Sequence, residues 1–349
     1  MHGRQAAGAE NACSLACTKM GLPTDLTAER IAATPVAVPP IARHDDLTIN
    51  VEANRALCAH LHHGGVTSWL YGGNANFYNI SVSEFEATMT SLAKIAAEVG
   101  DENTLLIPSV GPDYGKLMDQ AAILKKMNCF RTAMVLPLDF PSTADGLATG
   151  VRNFAHEFGK KVILYVKSDK VYTPEAIAGL VDEGLIVAVK YAVIREDPSD
   201  DEFLAELCSL IDPKLIISGI GERPAGVHMT EFGVAGFTSG SVCIAPRLSM
   251  MLLQALQAGD AAEAARIREL FIPHEDLRDL WSPIRTMHES VTLAGIADMG
   301  PMLPMLSNIE RDKWDELRPT VLELLAQNTT AQAALDSAGR AGSAQSAKL

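Results

Sequence analysis

The sequence predicts one α/β unit of the (β/α)8 type, a TIM barrel, followed by a three-helix C-terminal extension. Three observations predict it. Short apolar runs alternate with longer amphipathic ones eight times in succession. The units recur at a spacing of roughly 25 to 30 residues, which suits a closed barrel of βα units. Residues 40–46, Pro-Ile-Ala-Arg-His-Asp-Asp, lack the glycine-rich turn that an open dinucleotide-binding sheet places after its first strand.

In chain order, strands are expected at 34–39, 67–72, 104–109, 132–136, 162–166, 185–192, 215–219 and 235–238. Helices are expected at 51–62, 82–99, 114–127, 143–158, 174–182, 200–210 and 225–232. Several open on start signals, such as Ser81 and Ser83 with Glu84 and Glu86 behind them, and Thr173 with Pro174 at the first helical position. Three more helices, at 261–271, 283–294 and 313–326, form the extension. The chain divides into a flexible leader over 1–24, a barrel over 25–258, the extension over 259–328 and a disordered tail over 329–349. The two ends are rich in small residues and lack periodicity.

The totals exclude several classes. A net charge of -14 argues against nucleic acid or an anionic membrane as partner. No run of 18 apolar residues and no signal-peptide pattern occurs, so a cytoplasmic protein is expected. The six cysteines lack CxxC pairs and read as reduced thiols. Cys13 and Cys17 sit one helical turn apart, with no further ligands nearby. His60, His62 and His63 end the first helix and precede the second strand, on the face opposite a barrel's active site. They are better suited to capping a helix C-terminus than to binding a metal, and no metal is expected. His156-Glu157, His274-Glu275 and His288-Glu289 lack the second histidine of a zinc helix and read as solvated helix faces. The glycines of Ser218-Gly219-Ile220-Gly221 follow strand seven, where many barrels bind phosphate.

One residue breaks the pattern. Residues 185–192, Leu-Ile-Val-Ala-Val-Lys-Tyr-Ala, form a buried parallel strand interrupted near its end by Lys190. Desolvation lowers the pKa of a buried lysine, leaving free amine that can attack a carbonyl. A strand-end lysine that reaches water along its stem is the plainer alternative. Barrel active sites lie at the C-terminal ends of the strands, where Lys190 falls on strand six and Tyr165 at the matching point of strand five. A tyrosine hydroxyl there can relay protons for amine chemistry. After strand two, Gly72-Gly73-Asn74 offers exposed backbone amides that suit a carboxylate, or simply makes a tight turn.

With Lys190, Tyr165 and this turn in place, the chain resembles the dihydrodipicolinate synthase / N-acetylneuraminate lyase family over about residues 30–325. The resemblance implies a Schiff base between Lys190 and a 2-oxo acid, with Tyr165 as the proton shuttle and no cofactor. It also implies that Gly236-Phe237-Thr238 lines the oxo-acid pocket and that the protein is a homo-oligomer, a dimer or tetramer. The departures matter as well. The family's Gly-Thr-Thr-Gly-Glu turn is Gly72-Gly73-Asn74-Ala75-Asn76 here, so Gly73 stands where the proton-passing threonine would be. Asp139 falls where the synthase carries its partner-subunit tyrosine, and Lys170 near the synthase's carboxylate-binding arginine, to which lysine is not equivalent at a bidentate site.

The expected function is a class I lyase acting on pyruvate or a deoxy-oxo sugar acid, by aldol cleavage, condensation or dehydration. Gly73 and Asn74 would bind the carboxylate, and Thr238 would line the pocket. Asp139 and Lys170 would serve the distal part of the substrate. The turn with Phe77 and Tyr78 resembles the dehydratases of oxo-deoxyglucarate. The alternatives are a dihydrodipicolinate synthase with a rebuilt relay and a non-catalytic oxo-acid-binding barrel.

Overall fold

A computed structural model describes residues 26–346. The leader with Cys13 and Cys17 lies outside the described residues. After a one-turn helix α1 (Ala28–Ile31), the strands are β1 (Val36–Ala37), β2 (Ser68–Tyr71), β3 (Leu105–Val110), β4 (Met134–Val135), β5 (Val162–Val166), β6 (Ile186–Tyr191), β7 (Ile216–Ser218) and β8 (Gly236–Ser239). All eight pair in parallel, in sequence order, and β8 returns to β1 to close the barrel. Each lies within or at the edge of an expected run. Closure buries the barrel strands on both faces, which is why they read as continuous apolar runs.

The intervening helices are α2 (Val51–His63), α3 (Val82–Val99), α4 (Tyr114–Met127), α5 (Ala144–Phe158), α6 (Pro174–Asp182), α7 (Glu202–Leu210), α8 (Glu222–Glu231) and α9 (Pro246–Ala258). Their starts follow the expected chemistry. Ser81 Oγ accepts from the Glu84 amide at 3.1 Å, and Thr173 Oγ1 from the Ala176 amide at 3.2 Å. Each satisfies a donor that the helix leaves unpaired, and such a cap contributes about 1 kcal/mol. The sequence places no capping side chain before α9, which completes the eighth βα unit. Its N-cap, Ala245, makes no side-chain bond, and the helix opens directly on Pro246.

The extension comprises α10 (Ala261–Trp281), α11 (Pro283–Leu293) and α12 (Trp314–Ser346). Helix α10 packs against α8 and α9, and α12 closes over α9, α10 and α11. Two expectations are corrected here. Helix α10 continues ten residues past 271, through the internal Pro273, and α12 runs to Ser346, across the stretch expected to be disordered. The residues after 326 are largely alanine, glutamine, serine and threonine. With no proline among them, strong helix formers such as alanine and glutamine extend the helix already anchored on the barrel.

The solvated reading of two histidine-glutamate pairs is also overturned. His274, Glu275, His288 and Glu289 are all buried. Helices α10 and α11 are covered on several sides, so the polar atoms find internal partners instead of water. His274 bridges Ser241 Oγ at 3.0 Å and Ser290 Oγ at 2.9 Å, and burial pushes its imidazole down to about 3. His156 alone of the three histidines is exposed. His60, His62 and His63 do occupy the last turn of α2, where His60 Nε2 meets the Ile244 carbonyl at 3.0 Å. Among the described residues no group of three or more side chains is placed to hold a metal, and no helix is long and apolar enough to cross a membrane.

Candidate active site

The C-terminal ends of the strands surround a cavity of about 290 Å³. Its floor is the β5–β6 pair. Tyr165 and Lys190 are direct register partners, so their side chains emerge side by side on the same face. Lys190 Nζ lies over the Tyr165 ring, 4.3 Å from its centroid, and the lysine is only 5 % exposed. Burial first, and the charge of Lys167 second, push the ammonium down to about 7. At neutral pH roughly half of the molecules therefore hold Lys190 as free amine. Burial pushes the Tyr165 phenol up to about 12, so it rests protonated.

The wall opposite is the turn after β2. Gly73 and Asn74 line the cavity, as does Thr238 of β8. The turn folds on itself, with Asn76 N donating to Gly73 O at 2.9 Å and Phe77 N to Gly72 O at 3.2 Å. Among the described residues no bond of this turn uses the amides of Gly73 or Asn74, which leaves them available to a carboxylate. The Asn74 side chain is committed elsewhere, for its Nδ2 donates to the Val38 carbonyl at 2.9 Å and ties the β1 loop to the β2 loop. Lys116 of α4 grips the far side of the turn, donating to the carbonyls of Phe77 at 2.9 Å and Tyr78 at 3.0 Å. Replacing Lys116 with methionine removes both bonds, which are partly exposed. It is expected to lower stability by about 1–2 kcal/mol and to weaken binding at this turn severalfold, as steady-state kinetics and thermal unfolding would show.

Two expected residues stand apart from the cavity. Asp139 and Lys170 are both exposed and do not line it. Local bonds fix both loops. Ser142 Oγ donates to the carbonyls of Leu138 and Asp139, closing a local turn. The Lys170 amide donates to Ser168 Oγ at 3.2 Å, while its neighbour Asp169 is drawn to Arg195 at 2.8 Å. The cation of this loop that does line the cavity is Lys167.

Other lining residues, not singled out for the site from the sequence, include Tyr78, Arg278 and Asp279. Tyr78 was visible as an aromatic beside the glycine turn. Arg278 and Asp279 come from α10 in the extension, and no local pattern marks them. Arg278 is buried, donating to Glu275 Oε1 at 2.8 Å and to the Ile220 carbonyl at 3.0 Å, which fixes the loop after β7. Gly221 in that loop has φ +101, and a side chain there would collide with Glu275 and Arg278. Glu275 Oε1 also accepts from the Glu222 amide at 3.1 Å. A protein carboxylate thus occupies the start of α8, where the glycines had suggested a phosphate.

Comparison with known proteins agrees with this geometry. The model of the dihydrodipicolinate synthetase family matches residues 39–323, which take in nearly all of the barrel and most of the extension. The chain belongs to that family. A relative from Saccharopolyspora erythraea, named "Probable 5-dehydro-4-deoxyglucarate dehydratase", is 23% identical over 265 residues, covering 74% of this chain and 82% of the relative. A second from Streptomyces avermitilis, "Probable 5-dehydro-4-deoxyglucarate dehydratase 1", is 24% identical over 311 residues, covering 83% of this chain and 93% of the relative. Among solved structures of the family fold, dihydrodipicolinate synthase from Bacillus clausii superposes with a TM-score of 0.73 at 20% identity, covering 86% of this chain and 98% of the synthase. A family member from E. coli K12 solved in complex with pyruvate gives 0.71 at 18% identity, covering 83% of this chain and 98% of its own. At these identities the superpositions establish the shared barrel.

Proposed function

We propose that this family member is a Schiff-base lyase acting on a 2-oxo acid, and that its reaction is the dehydration of a deoxy-oxo sugar acid. The observation that carries the reading is Lys190, buried at the floor of the cavity, shifted toward free amine and stacked on Tyr165. The amine would attack C2, and Tyr165 would pass the proton that converts the carbinolamine to an iminium and water. The iminium withdraws electrons from C3, so a C3 proton can leave and the C4 hydroxyl can depart as water. The amides of Gly73 and Asn74 would hold the C1 carboxylate, beside Thr238.

Dehydration is preferred over the synthase reaction for two reasons. Neither Gly73 nor Asp139 carries the hydroxyl on which the synthase relay depends, and both curated relatives carry a dehydratase name. We place the activity in the cytoplasm, in a homo-oligomer.

Borohydride reduction in the presence of 5-dehydro-4-deoxyglucarate or pyruvate tests the reading. A reduced adduct is expected on the peptide containing Lys190, and its yield should rise as pH climbs through about 7, where the amine loses its proton. A folded protein that yields no adduct with either acid would be a binding barrel and not a lyase.

A further inference from the structure

The pocket holds a second tyrosine that the reaction above does not use. We propose that Tyr78 is the positioning residue of the proton relay, its hydroxyl supporting Tyr165 from within the same chain where the family's threonine is missing. The inference rests on the Schiff-base reading and extends it.

Three features of the site point there. Tyr78, Tyr165 and Lys190 line one cavity. Gly73 leaves a space in its wall, and a Cβ built at Gly73 meets only the Tyr78 ring edge, Cε2 at 4.0 Å. The tyrosine ring thus borders the volume that a threonine side chain would enter. The residue is also held firmly. Lys116 grips its carbonyl, the buried Asn76 side chain donates to the Leu303 carbonyl at 3.1 Å, and the preceding Phe77 is buried against Phe85 with ring centroids 6.1 Å apart.

The chemistry gives such a hydroxyl a task. The Lys190 nitrogen bonds to C2 as the carbonyl electrons move to oxygen. A proton must then leave the nitrogen and reach that oxygen before the C–O bond breaks and water departs. If Tyr165 carries the proton, it is briefly a phenolate in a buried site, and burial makes that state costly. Among the described residues no hydrogen bond reaches the Tyr165 hydroxyl. A neutral donor across the cavity, bonding directly or through one water, lowers that barrier. Tyr78 qualifies because burial, with Tyr165 and Asp139 nearby, holds its phenol far above the usual range, so it keeps its proton at every working pH.

The test is single-turnover borohydride trapping with pyruvate on the full-length protein, quantified on the Lys190 peptide from pH 6 to 9. Tyr78→Phe removes one oxygen and keeps the ring. It is expected to slow trapping at least 30-fold at pH 8 and less at pH 6, because carbinolamine collapse becomes limiting first where solvent protons are scarce. Adding Gly73→Thr to Tyr78→Phe should recover at least tenfold, since the position is open. In a Tyr165→Phe background, Tyr78→Phe should cost less than threefold more. Trapping by Tyr78→Phe within threefold of wild type at all pH values overturns the proposal and leaves the lyase reading intact. So does a pH-independent loss that Gly73→Thr fails to relieve. A wild type that traps no oxo acid overturns both.

Discussion

Replacing Lys190 with methionine is expected to reduce turnover by at least ten-thousandfold and to make the folded protein more stable at neutral pH. The first effect follows from the proposed role of Lys190 as the amine that forms the covalent bond, since the other amine lining the cavity, Lys167, is exposed. The second follows from linkage. The folded protein holds Lys190 at about 7, against 10.5 for the free side chain, with burial the main cause. Below pH 7 the lysine is charged in both states, and the folded state bears the full cost of a buried ammonium. Between 7 and 10.5 the unfolded chain binds more protons than the folded one, so wild-type stability from this group rises with pH and the penalty fades. Methionine, close in shape and uncharged, avoids the penalty throughout. Denaturant unfolding should show Lys190→Met more stable by about 2–4 kcal/mol at pH 6 and by much less at pH 10. A difference that stays constant across this range would mean that Lys190 does not titrate from the depressed value, and the nucleophile assignment would lose its physical basis.

The position of Lys190 was legible because two short-range rules coincide there. An apolar run identifies a buried strand, and the end of a barrel strand faces the site, so a lysine at that point stands out, as does Tyr165 one strand away. The residues that were not legible depend on longer-range information. Arg278 reaches the cavity from a helix beyond the barrel, and its neighbour Glu275 looks like an ordinary surface glutamate until α8, α9 and α12 enclose it. Asp139 and Lys170 were placed by correspondence with the family, whereas their own turns are set by Ser142 and Ser168, which hold both residues at the surface. Tyr78 required knowing that Gly73 leaves room beside it.

The buried ions that tie the extension to the site give the second large expected effect. Arg278→Met should destabilise the protein by about 3–5 kcal/mol at pH 9.5 and by clearly less at pH 6. Arg278 is the cation nearest to two buried carboxylates. Glu275 pairs with it at 2.8 Å, and Glu222 accepts hydroxyl bonds from Ser239 at 2.7 Å and Ser249 at 2.5 Å. Burial already raises both acids, Glu275 to about 8, although Arg278 opposes the rise. Without the guanidinium that opposition disappears, and both acids are pushed further up. A raised acid binds protons in the folded state that the unfolded chain has released, so stability falls as pH climbs from about 4.5 through the folded value. Up to about pH 8 both proteins hold the Glu275 proton and their stabilities fall in parallel; above it the wild type has released the proton and the variant has not, so the gap between their unfolding curves should widen between pH 8 and 9.5. Glu275→Gln isolates the cause. It keeps the shape and an acceptor for Arg278 while removing one of the competing negative charges, so it should be milder than Arg278→Met and should flatten the pH dependence. A uniform loss for Arg278→Met at both pH values would show that the residue stabilises the β7 loop only through its bond to the Ile220 carbonyl and its packing, and not by neutralising the two acids beneath the site.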